Sequence, residues 1–288
     1  MERIDFNDEI SKNKWKSFFL MGGVFLVLVV LGYVISLALE PGYFFIVMIF
    51  STVFSISYIL INFYNSDKIA LASVGAKVAS GEVYQQFPDL VEGLCLASGL
   101  PLPKLYVMKS DSINAFASGR NPENAVVCVT TGALEKLDRR ELEGVLAHEL
   151  GHIANYDIRY MTLIAVMVGM VSIISQIFLR SLWFRNRDDK KSGIFILIGI
   201  VLAIVAPIMV YFISLSISRK REFSSDATAV KFTRYPNGLI GALKKIKNNS
   251  EEKRINQAIA PLFFANPFRG MGSTHPPIEK RIERLERM

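Results

Sequence analysis

Near its middle the chain reads His148-Glu149-Leu150-Gly151-His152, inside the longer run Asp138 to Ala154. Asp138 and Glu141 have the reciprocal spacing of a capping box, so a helix is predicted to begin there. On a helix, residues four apart lie about 40° round the axis and one turn along. Both imidazoles can then reach one ion. Catalytic zinc takes three protein ligands and keeps a fourth position open. Glu149, beside the first histidine, is placed to take a proton from a water attacking a carbonyl. Val145-Leu146-Ala147 and Ile153-Ala154 carry no charge, as a buried helix requires when only its ligands face a cleft. With three histidines in the whole chain, a pair at this spacing is informative. The plainer alternative is two histidines satisfied by backbone and water, and it gives Glu149 no task.

Two histidines hold zinc weakly, so a third ligand is needed. His275 is the one remaining histidine, and an acidic residue competes with it. In Arg221-Glu222-Phe223-Ser224-Ser225-Asp226, Glu222 and Asp226 stand four apart on a predicted helix. Glu222 could coordinate, and Asp226 could accept the second N–H of a ligand histidine and fix its tautomer. Equally, both carboxylates could be solvated partners of Arg219, Lys220 and Arg221.

Outward from these motifs the chain is apolar. Of 288 residues, 51% are hydrophobic and 20% charged, and the mean hydropathy is +0.32. That excludes disorder and argues against an ordinary soluble enzyme. The formal charge of +7 fits basic residues flanking membrane segments, so a lipid bilayer and not nucleic acid is the expected partner. Four stretches are long enough to span a bilayer: Phe18–Leu39, Tyr43–Phe63, about Met161–Leu179, and Gly193–Ile217. Glu40-Pro41-Gly42 joins the first two as a tight hairpin. Trp15 and Trp183 sit at span ends, where amphipathic rings favour the interface. A cleaved leader would need a shorter apolar core and a small-residue cleavage site, so a retained anchor is expected. Cys95 and Cys128 are the only cysteines, which rules out a disulfide framework and a cysteine zinc knuckle.

Between the hairpin and the third span, Asp67–Ser80 and Pro88–Ala97 read as helices. Lys104–Met108 and Ala125–Thr130 read as strands, with Ile113–Ala117 as a third. The expected class is an α+β membrane protein, mostly helical, with four hydrophobic spans and a small β-sheet. Its parts are a tail and hairpin (1–66), a first soluble part (67–158), a second hydrophobic hairpin (159–218) and a second soluble part (219–288). Arg3, Lys12, Lys14 and Lys16 precede the first span and Arg219-Lys220-Arg221 follow the fourth, so both soluble parts are expected on the cytoplasmic side. The loop carrying Arg180, Arg185, Arg187, Lys190 and Lys191 dissents. Either it lies outside, or the second hairpin does not cross.

The HELGH run followed by Glu222-x-x-x-Asp226 after a hydrophobic hairpin resembles the membrane gluzincins, the group of the HtpX-type and CAAX prenyl endoproteases. The resemblance takes in Asn114-Ala-Phe-Ala-Ser-Gly119, the Thr131-Gly132 turn, His148 to Asp157, and Ser273-Thr-His-Pro-Pro277 with Arg281. Four predicted spans match the HtpX type, and prenyl proteases carry more. The resemblance implies a zincin-like catalytic domain holding one Zn2+ per subunit, with His148, His152 and Glu222 as ligands and Glu149 as general base. Asp226 would hold a ligand histidine in place, and Asn114 would sit on a strand edge where an extended substrate pairs. His275 and Arg281 would face the substrate carbonyl and stabilise its oxyanion. It also implies a multi-pass protein of the bacterial inner membrane that cleaves misfolded or damaged membrane proteins at the cytoplasmic face under stress. The sequence carries no sign of oligomeric state.

Rival readings are weaker on the residues. An intramembrane zinc protease would bury its motif in a span, whereas Asp138-Arg139-Arg140-Glu141 opens this helix. A prenyl-peptide protease shares the zinc motif and differs in substrate. A membrane scaffold with a structural metal would need a closed fourth ligand and would leave Glu149 idle. A transporter would show ionisable residues within its spans.

Overall fold

The computed structural model describes residues 6–37, 41–81, 84–164, 219–248, 262–264 and 276–288. Two long helices come first, α1 (Phe6–Leu37) and α2 (Phe44–Ser73), joined through the short turn at Pro41–Tyr43. They form a hairpin whose outer surface is apolar: Phe45, Ile49, Phe50 and Val53 are all exposed. Its seam is small and polar. Ser51, Ser55, Asn62 and Ser66 are buried, and Ser51 Oγ donates across it to the Leu28 carbonyl at 3.1 Å. Lipid gives no reason to hide apolar groups, so helices in it associate through small residues and hydrogen bonds. Among the described residues these two helices are long and apolar enough to cross a membrane. Predicted spans three and four lie outside the described residues, apart from 161–164, as do Trp183 and the basic 180–191 loop.

The apolar pattern ends near Phe63, yet α2 continues to Ser73 with a break in its backbone at Asn65 (φ −118°, ψ 15°). The helix expected over Asp67–Ser80 is therefore the end of α2, closed by Gly75 at φ +63° and followed by a strand, β1 (Lys77–Val78). After α3 (Gln86–Ser98) come β2 (Lys104–Met108), β3 (Ala115–Gly119) and β4 (Ala125–Thr130). The sheet order is β1-β2-β4-β3, with β2 and β4 parallel and both outer pairs antiparallel. Strand β3 begins two residues later than expected. Thr130 Oγ1 holds the Asn114 N–H at 3.0 Å and fixes the start of the pairing there.

Beyond α4 (Thr131–Lys136), the motif helix α5 runs Arg139–Ala154. Its capping box is complete: Glu141 N–H donates to Asp138 Oδ1 at 2.9 Å, and Asp138 N–H to Glu141 Oε2 at 2.8 Å. Such a cap contributes about 1 kcal/mol. Helices α6 (Arg219–Thr233) and α7 (Pro236–Asn248) and strand β3 pack around α5, and α8 (Ile278–Leu285) rests on α6 and α7. Two glycines two turns apart allow the close approach. A Cβ on Gly144 would stand 2.6 Å from Leu239 N of α7, and one on Gly151 would stand 2.6 Å from Ser225 Oγ of α6. Val145, Leu146, Leu150 and Ile153 fill the space between. The molecule is thus mostly helical around a small mixed sheet, with α5 at its centre.

Candidate metal centre

The buried face of α5 presents His148 and His152 to Glu222 on α6. His148 Nε2 and His152 Nε2 are 3.1 Å apart. Glu222 Oε2 lies 3.6 Å from the first and Glu222 Oε1 3.5 Å from the second. Ligands bound tetrahedrally at zinc's usual distances would be separated by about 3.3 Å, so the triangle has the size a small cation requires. The other ring nitrogens show its polarity. His148 Nδ1 meets Asp226 Oδ1 at 2.9 Å, and His152 Nδ1 meets Asp157 Oδ2 at 3.1 Å. In the neutral form of each ring, Nδ1 donates to its carboxylate and Nε2 presents a lone pair. Two lone pairs and a carboxylate facing one another in a buried site fit a bound cation, and these three residues would hold it.

Local backbone sets these partners. Ser225 Oγ donates to the His148 carbonyl at 2.6 Å, fixing α6 against α5 beside Gly151. Tyr156, at φ +58°, turns the chain after α5 so that Asp157 returns beneath His152. Asn13 of α1 completes that side: its Nδ2 donates to Asp157 Oδ1 at 2.7 Å and to the Asn155 carbonyl at 3.2 Å. Lys14 Nζ lies 4.8 Å from the centre of the Tyr156 ring. The membrane hairpin thereby touches the residues that orient His152.

Among the described residues Arg281 is the largest fully buried side chain. Its Nε and Nη2 donate to Asp226 Oδ2 and Oδ1 at 3.0 and 2.6 Å, and Nη1 lies 3.7 Å from Glu222 Oε2. Burial alone would raise the Asp226 pKa, but the Arg281 charge and the His148 contact hold it below the usual carboxylate range. Burial and the Arg281 charge push His148 down, while the Asp226 and Glu222 hydrogen bonds and the Asp226 charge outweigh them and lift it to about 9. Glu149 is raised, chiefly by burial, against the charges of His148 and His152 and a hydrogen bond from the Ala117 backbone. Its Oε1 has no hydrogen-bond partner.

Of the residues singled out from sequence, His148, Glu149, His152, Glu222, Asp226 and Arg281 share this one cluster. Asn114 lies at the start of β3, buried, with its Oδ1 accepting from Ala115 N–H at 3.0 Å. His275 lies outside the described residues. Three neighbours carried no assignment: Asp157, Asn13 and Phe264, whose ring meets that of His148 edge-on. Asp157 had a readable signal, an acid five residues past the second histidine. Asn13 and Phe264 had none, because their partners are far away in sequence.

A family profile described as Peptidase family M48 matches residues 81–288. The chain is 42% identical to a Protease HtpX homolog of Dictyoglomus thermophilum, covering 100% of this chain and 96% of that one. Identity to a Protease HtpX homolog of Caldanaerobacter subterraneus subsp. tengcongensis is 44%, over 83% and 84% of the two chains. To one of Listeria monocytogenes it is 36%, over 98% and 99%. In structure the chain resembles S. mikatae Ste24p, with a TM-score of 0.50 and 18% identity over 97% of this chain and 67% of that one. That likeness concerns the fold alone.

Proposed function

This chain belongs to peptidase family M48 and is a membrane metalloprotease, and from that premise we propose that it is a zinc-dependent endopeptidase of the bacterial inner membrane. Its substrates are misfolded or damaged membrane proteins, cut at the cytoplasmic face as part of a stress response. The observation that carries the reading is the triangle of His148, His152 and Glu222 with Glu149 beside it. Bound there, zinc would supply a Lewis acid for the scissile carbonyl and for the attacking water.

The protein's own groups do the rest. Asp226 and Asp157 hold the two rings in the tautomer and direction that coordination needs. Glu149 takes the proton from the water and passes it to the leaving amine. A carboxyl raised by burial is better matched to that shuttle than an exposed one. Asn114 and the β3 edge receive the extended substrate, and Arg281 with His275 meets its carbonyl. Sidedness is supported by Asn13 and Lys14, which reach Asp157 and Tyr156 from the amino-terminal end of the apolar stretch of α1.

The test is cleavage of casein by detergent-solubilised, zinc-loaded full-length protein beside Glu149→Gln. The expected result is turnover that falls by about 10²–10⁴-fold in the variant with zinc retained. Equal turnover by both would remove Glu149 from the role of base. A prenylated peptide run in parallel separates the two substrate classes, and the expectation is that casein is cut and the prenyl peptide is not.

A further inference from the structure

The outer edge of β3 is already in use by the chain itself. Phe264 N–H donates to the Ala115 carbonyl at 2.8 Å, and Phe116 and Phe263 form an antiparallel bridge. The two pairings share one register, so Phe263 and Phe264 lie antiparallel against β3 in the position of an added strand. Farther along β3, the Ala117 N–H bonds to Glu149. A strand on this edge therefore runs beside the proposed base. The Phe264 ring meets the His148 ring edge-on with centroids 4.9 Å apart, and the Arg281 guanidinium sits 4.7 Å over the same ring. Arg281 Nη1 also donates to the Phe264 carbonyl at 3.4 Å. Phe263 packs against Phe116 at 5.3 Å, and Leu262, Phe263 and Phe264 are all buried.

Peptides that join a sheet edge gain affinity from main-chain hydrogen bonds and specificity from alternate side-chain pockets. Leu262–Phe264 makes both kinds of contact, and its Phe264 carbonyl meets the arginine proposed to meet a substrate carbonyl. We propose that Leu262–Phe264 is an internal pseudosubstrate, holding the β3 edge as substrate would and marking the site as one for extended segments with bulky apolar side chains. The proposal rests on the protease reading above. Such segments are hidden in folded soluble proteins and exposed in unfolded or membrane ones. Because the Ala115 carbonyl serves one strand here, substrate and segment compete, and apparent affinity falls in proportion to the time the edge is filled.

The test uses full-length, zinc-loaded protein carrying Glu149→Gln, so that binding is read without turnover. The probe is a labelled peptide with the sequence of residues 260–267, and the control has both phenylalanines replaced by serine. Phe264→Pro removes the pairing N–H, and Phe264→Ala removes only the ring beside His148. The expected result is binding about ten-fold tighter in Phe264→Pro, an intermediate gain in Phe264→Ala, and a loss of at least about ten-fold for the control peptide. Should the proline variant not fold, the alanine variant decides by the same readout at matched zinc content. Unchanged or weaker binding in the folded variants, or equal binding of both peptides, overturns the proposal. Cleavage is read separately in the Glu149-intact protein. Tighter binding without any cleavage upholds competition for the β3 edge and sinks the protease reading. Casein cleavage without tighter binding does the reverse.

Discussion

In the α1–α2 hairpin, Phe50 points outward, 70% exposed, while its neighbour Ser51 is buried in the seam. Around α5 the arrangement is reversed in part: Leu146 and Leu150 are hidden, and so are His148, Glu149, Asp226 and Arg281. The hairpin puts apolar groups outside because its surroundings are apolar too. The core around α5 does what a water-soluble protein does with leucine, and then also encloses charge. Enclosed charge is costly unless paired, and Asp226 is paired with both Arg281 and His148. The two regions touch where Asn13 holds Asp157.

The largest effect should come from breaking the enclosed pairs. Arg281→Met leaves the Asp226 carboxylate buried without its bidentate partner, and the expected cost is about 3–5 kcal/mol in denaturant unfolding of the detergent-solubilised protein. Adding Asp226→Asn should return part of it. On the hairpin, Phe50→Arg places a charge where lipid is expected, at about 2.5–3.5 kcal/mol in membrane-insertion efficiency. The same substitution on a water-facing surface would cost almost nothing, so insertion at wild-type level would contradict the membrane assignment of α2.

Gly151→Ala sharpens the account of the site. Its Cβ would press on Ser225 Oγ, so a loss of about 1–3 kcal/mol is expected. Zinc affinity should drop with it, because α6 carries Glu222. Ser225→Gly in the same chain should relieve both. Ser51→Ala removes the hydrogen bond across the hairpin and should cost about 0.6 kcal/mol, far less than the adjacent Phe50→Arg despite the greater burial of Ser51. Smallest is the expected response of Cys128. Burial pushes its thiol up to about 12 and that of Cys95 to about 11. Since a raised value keeps the thiol protonated, alkylation of both should be negligible at pH 8, and Cys95 should react first as the pH rises.

Local information was readable and long-range information was not. The start of α5 follows from Asp138 and Glu141, because a capping box is closed within four residues. Lys104–Met108 and Ala125–Thr130 have the bounds read from their valine-rich runs. The start of β3 moved from 113 to 115 because pairing with β4 and the Thr130 hydroxyl, not the composition of the strand, sets it. Two apolar helices were legible from hydropathy, but the continuation of α2 past Asn65 was not, since its sequence turns polar there. At the site, the i, i+4 spacings announced His148, His152, Glu222 and Asp226. Nothing near Asn13 announces a partner 144 residues away, and Leu262-Phe263-Phe264 reads as an unremarkable apolar triplet until β3 lies beside it.

The central claim is that His148, His152 and Glu222 hold one catalytic zinc ion. It is tested most directly by X-ray absorption at the zinc edge of full-length protein loaded with one equivalent. The account predicts two imidazole nitrogens and a carboxylate oxygen at about 2.0–2.2 Å plus a light-atom ligand from solvent, with Glu222→Gln losing the ion and Glu149→Gln keeping it. A sulfur shell near about 2.3 Å, or an unchanged spectrum in Glu222→Gln, would contradict it.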